Sequence, residues 1–162
     1  MLRLTTANSE RLEIPGFAII AVMKPSDGVY PCAIIFDMGA GPQVDQLCDQ
    51  YGHVKKLAID SQSIVNPIEI RVIEQVQVGQ GEGATTAFGE GRMFFARDRI
   101  VGRREVRGNP NGINATIFVN LLGKPMAINT ADTLAEMDGE EPERKPTRSK
   151  ARPAAPRSKA TA

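Results

Sequence analysis

Four short apolar runs open this chain: LRLTT from Leu2, RLEIP from Arg11, FAIIAVM from Phe17 and CAIIFDM from Cys32. Each is rich in β-branched or apolar residues and too short for a free-standing amphipathic helix. Between them lie NSE, KPSDG and GAGP, whose Asn, Pro, Asp and Gly supply turn dihedrals. Further on, IEIRVIEQVQV from Ile68 alternates Ile68, Ile70 and Val72 with Glu69 and Arg71, the period of a strand with one buried and one polar face. Hairpins in a sheet satisfy this pattern, and helical periodicity is scarce.

Asp49 is placed to cap a short helix whose apolar side carries Val54, Leu57 and Ala58, with Gly52 weakening it. A second copy of the same plan follows. Glu10 to Ala21 overlays Gly91 to Gly102, so that Arg11 falls on Arg92, Leu12 on Met93, Ile14 on Phe95, Ile19 on Ile100 and Ile20 on Val101. CDQYGHVKKL and NTADTLAEM then align as capped helices, with Val54 on Leu134 and Leu57 on Met137. The predicted fold is mainly β with short α: two tandem β-rich modules, 1–60 and 66–137, each closed by a short helix. An acidic-then-basic tail, 138–162, follows them and is expected to be disordered, because it has four prolines and no large apolar residue beyond Asp138 to repay ordering entropy.

The opening MLRLTTANSERLEIPGFAII resembles the small FlbD-like flagellum-associated family over residues 1–58, through its first strand, Leu4-Thr5, the turn at Asn8 and the isoleucine at position 19. That resemblance implies a β-rich module with a terminal helix and no catalysis. The length, second half and tail of this chain depart from it.

Charge nearly cancels, with 20 Lys and Arg against 19 Asp and Glu. Its distribution is uneven: Lys145, Arg148, Lys150, Arg152, Arg157 and Lys159 follow an acidic run from Glu136 to Glu143. A body so close to neutral excludes polyanion binding by the whole surface and leaves only local patches. Cys32 and Cys48 lack both CxxC spacing and the density of a disulfide scaffold, so reduced thiols are expected. No stretch has the length of a membrane span and the N-terminus has no apolar signal core, which predicts a cytoplasmic protein without membrane partners.

Catalytic signals are lacking. Gly79, Gly81, Gly83, Gly89 and Gly91 lead into the strand RMFF rather than into the helix a phosphate loop needs, so they read as a hairpin loop. His53, the single histidine, has no partner at ligand or triad spacing. Neither a cofactor nor a metal nor a catalytic residue is expected. The cationic cluster Arg92, Arg97, Arg99, Arg103, Arg104 and Arg107, near Phe94 and Phe95, can form a groove with a stacking ring for nucleic acid, and the basic tail can lie along phosphates. A solvated edge that discourages strand pairing explains the same arginines. Two functions thus stand open: a non-enzymatic protein contacting nucleic acid or another polyanion through these residues, or a structural or adaptor subunit of a phage or bacterial assembly that binds protein partners or forms a homo-oligomer.

Overall fold

The computed structural model describes residues 1–79 and 81–139. The basic residues Lys145, Arg148, Lys150, Arg152, Arg157 and Lys159, and with them most of the tail, lie outside the described residues. The fold is mainly β. Its first half runs β1 (Leu2–Thr5), β2 (Arg11–Ile14), β3 (Ile19–Lys24), β4 (Cys32–Asp37), β5 (Pro42–Leu47) and α1 (Tyr51–Asp60). Its second half runs β6 (Pro67–Val78), β7 (Thr85–Ala96), β8 (Ile100–Glu105), β9 (Ala115–Asn120), β10 (Pro125–Thr130) and α2 (Leu134–Met137).

Strand pairing follows one scheme in both halves. Leu4 opposes Leu12 in the first hairpin, and Ile70 opposes Met93 in the second. In the meanders, Cys32 opposes Leu47 as Ala115 opposes Thr130, and Asp37 opposes Pro42 as Asn120 opposes Pro125. A register shift falls between Ile19 and Ala21 on β3, and another between Ile100 and Gly102 on β8. Such bulges bend a strand so that it can turn around a core. Last, β5 returns to β1 through the bridge of Thr6 with Leu47, as β10 returns to β6 through Thr130 with Val72.

The helix caps differ from expectation. Asp49 does not cap α1, whose N-cap is Gln50 with no side-chain bond. Its carboxylate instead accepts the Thr5 N–H at 2.7 Å, tying the start of the helix to the first hairpin. Asp132 accepts the Arg71 N–H at 2.7 Å in the corresponding place. The helix alignment moves as well. α1 starts at Tyr51 and α2 at Leu134, so Val54 corresponds to Met137, both buried, rather than to Leu134. In α2 the Thr133 side chain accepts the Glu136 N–H, as a capping hydroxyl does.

Two apolar clusters result. One gathers Leu4, Ile14, Ile19, Val22, Ile34, Phe36, Leu47, Val54 and Ala58; the other gathers Ile68, Ile70, Met93, Phe95, Ile117, Val119, Leu121 and Met137. Each large side chain so buried contributes about 1.5–3 kcal/mol. The clusters are joined where β3 pairs antiparallel with β7, from Ala21 opposite Phe95 to Lys24 opposite Arg92. Phe94 thereby enters the first core, and Ala21 and Ile35 enter the second.

The glycine-rich segment is the predicted hairpin loop only in part: Gly79, Gly81 and Gly83 lie between β6 and β7, whereas β7 begins at Thr85 and carries Gly89 and Gly91 inside the strand. A Cβ on Gly91 would overlap the backbone carbonyl of Lys24 and crowd the Ser26 hydroxyl and backbone N–H where the β3–β7 ladder ends. Gly91→Ala should therefore lower stability by about 2 kcal/mol, as overpacking does. A urea denaturation midpoint checks this, and a midpoint equal to that of the parent would contradict the crowding.

Candidate functional site

The six body arginines do not form one surface. Arg92 sits on β7 and pairs with Glu69 at 3.1 Å; Arg103 on β8 pairs with Asp138 at 2.7 Å; Arg107 pairs with Glu105 at 3.3 Å. Arg97 and Arg99 lie on a 3₁₀ turn between β7 and β8, where Arg99 donates to the Asn120 carbonyl at 3.5 Å. Arg97, Arg99 and Arg104 make no ion pair among the described residues. Half of the cationic cluster is thus neutralised locally, which weakens its pull on a polyanion.

Phe94 and Phe95 cannot stack a base, since both are buried in the cores. Their alternation places one ring in each cluster, a consequence of β7 standing between the two halves. An exposed ring on the edge pair that carries Arg103 and Arg104 is Phe118 on β9, 38% exposed. Phe118 opposes Gly102, and Thr116 opposes Arg104, so Arg104 and Phe118 share one face of the β8–β9 pair. The Thr116 hydroxyl and Asn129 Oδ1, 2.8 Å apart, extend that face across β10. Sequence reading passes over Phe118 because it lies in TIFVN, a run that looks wholly buried.

A second cluster links α1 to the second half. The Glu69 carboxylate on β6 accepts from Tyr51 Oη at 2.9 Å, from Arg92 at 3.1 Å and from Lys55 Nζ. Lys55 Nζ also sits 5.6 Å from the Tyr51 ring centre and 5.3 Å from that of Phe94, within cation–π reach. Burial pushes the Glu69 pKa up, but the hydrogen bonds from Lys55 and Tyr51 and the charges of Lys55 and Arg92 outweigh it and hold the carboxyl below its ordinary range. Burial and the bond to Glu69 push the Tyr51 phenol upward, so it donates as a neutral hydroxyl. This set is an ion-pair clamp between α1 and the β6–β7 hairpin.

A half-open cleft of about 640 Å³ lies beside it, with Met23, Met93, Met126 and Phe88 among its apolar lining and Asn109 and Asn111 at its polar side. Cys32 is buried, and burial raises its thiol to about 12; Cys48 is exposed and its Sγ lies 3.3 Å from the Thr6 carbonyl. Neither meets His53, which is exposed on α1. Among the described residues no group of three His, Cys, Asp or Glu side chains is gathered as metal ligands. No helix among them is long and apolar enough to cross a membrane.

The depressed Glu69 value sets a pH dependence. Because the fold favours the charged carboxylate, its contribution is present above the ordinary carboxylate range and is lost as pH falls through the lowered folded value. Glu69→Gln removes that linkage. Thermal melts across pH should show the variant well below the parent at neutral pH, with the gap closing in acid; a gap that stays constant would contradict the clamp. No family model, no curated protein and no solved structure matches this chain, so the likeness to the FlbD-like family stays an expectation drawn from residues 1–58.

Proposed function

We propose that this protein is a non-enzymatic assembly subunit or adaptor, joining protein partners through open edges of its sheets. The observation that carries this reading is the strand order. The eight-stranded sheet runs β5-β4-β3-β7-β6-β10-β9-β8, and β1 with β2 forms a separate two-stranded sheet tied to β5 by the isolated Thr6–Leu47 bridge. β8, at one end of the eight-stranded sheet, and β2, in the two-stranded sheet, each pair with one strand only among the described residues. Unpaired strand edges template pairing with another chain, the basis of recognition by strand addition. The repeated pairing scheme supports a related view, that the chain is an internal duplication of one five-strand unit closed by a helix.

Size-exclusion chromatography with light scattering of the full chain is the direct test. The expected result is a mass above that of one chain, falling on dilution. A mass of one chain at every concentration would remove self-assembly and leave only an adaptor role for other proteins.

A second reading keeps the polyanion. It is favoured by Arg104, free of ion pairs among the described residues, lying on the same face as exposed Phe118. Aromatic stacking beside a cation suits single-stranded nucleic acid. In this reading the protein retards single-stranded nucleic acid on a low-salt gel, and retardation is lost at moderate salt. Arg104→Ala with Phe118→Ala abolishes it if the body binds; removing residues 144–162 abolishes it if the tail binds. Absence of retardation at low salt would exclude this reading.

A further inference from the structure

We propose that the open edge of β8 receives β2 of a second copy of this chain, antiparallel, with Gly102 opposite Ile14, Arg103 opposite Glu13, Arg104 opposite Leu12 and Glu105 opposite Arg11. The inference rests on the assembly reading above and supplies its partner and register.

The template lies inside the chain. β3 holds the place in the first half that β8 holds in the second: each follows the turn after its hairpin, carries the early bulge and lies beside β4 or β9. β2 and β7 correspond likewise as the second strands of their hairpins. Within the chain β3 is covered by β7, with Ala21 opposite Phe95, Val22 opposite Phe94, Met23 opposite Met93 and Lys24 opposite Arg92. The corresponding junction of β8 with β2 is not made among the described residues. Both strands needed for it are present and both outer edges are unpaired among the described residues.

Charge agrees with this register. The internal junction uses the apolar pair Val22–Phe94 and sets Lys24 against Arg92. At the proposed junction Arg103, paired with Asp138 within its own chain, faces Glu13, paired with Arg3 and Arg11 within its own, and Glu105, beside Arg107, faces Arg11, so two opposite-charge pairs form by exchange with contacts made inside each chain. An apolar pair suits a permanent contact within a chain; a charged pair suits one that forms and parts.

Burial points the same way. Ile35 on β4, opposite Ala21, is 2% exposed because the second half covers it, whereas Phe118 on β9, opposite Gly102, is 38% exposed. Val101, the bulge residue of β8, is 67% exposed. A β2 edge arriving with its own half of the molecule covers the face that carries Phe118, as the second half covers Ile35. The contact is heterologous, since one copy offers β8 and the next offers β2, so it builds head-to-tail assemblies.

The test uses full-length protein, light scattering and melting curves to confirm folding. Arg103→Glu and Glu13→Arg should each lose the oligomer by setting like charges face to face, and the double variant Arg103→Glu with Glu13→Arg should restore it. Phe118→Asp should also lose it, independently of the charge pair. Parent protein that is monomeric throughout overturns both this inference and self-assembly. Oligomeric parent protein whose mass neither single charge variant changes overturns the β8–β2 register while leaving assembly standing. Single variants that dissociate and a double variant that fails to reassociate overturn the Arg103–Glu13 pair.

Discussion

The ladder between β3 and β7 is the contact on which the rest of the architecture hangs. It spans four residue pairs, yet it joins β3–β5 to β6–β10 in one eight-stranded sheet and trades residues between the two cores. Phe94 leaves its own half to fill the first core, while Ala21 and Ile35 leave theirs to face the second. Close approach at this crossing is possible because Gly91 has no side chain where β3 ends in Lys24 and the chain turns through Ser26. The ion-pair clamp of Glu69 with Lys55, Tyr51 and Arg92 then spans the same junction on its polar side.

That junction also explains why the arginine cluster is not a ready-made groove. β7 is interior to the sheet, so Phe94 and Phe95 turn into the cores and Arg92 is drawn to Glu69 on the neighbouring strand. β8 is an edge, so its cations project freely or meet the helix end at Asp138. Arginines adjacent in sequence thus serve different ends: clamp, cap and open edge. Charge on an edge strand both keeps the unwrapped protein from indiscriminate pairing and selects a partner of complementary pattern.

Much of the fold was legible in the residues. The runs at Leu2, Arg11, Phe17, Cys32 and Ile68 each became strands because apolar side chains at period two have one economical way to leave water. β5 and β10 were not legible. PQVDQL and PMAINT are largely exposed, each with few inward residues, and are held chiefly by backbone bonds to β4 and β9. Backbone hydrogen bonds leave no mark in composition. The strand character of TTAFG was hidden for a related reason, since glycine and threonine pair through the main chain opposite β6.

The residues alone determined that the chain would be mainly β, that it would be punctuated by short turns and that a helix would follow Asp49, because these depend on local dihedral preference and on the period of apolar side chains. Tertiary structure alone decided that Asp49 would hold a strand amide rather than a helix end, that Phe94 and Phe95 would be hidden while Phe118 stays open, and that β8 and β2 would each keep one edge unpaired among the described residues. Those outcomes depend on which strand lies beside which, and hydrogen bonds between distant segments carry no trace in the sequence of either one.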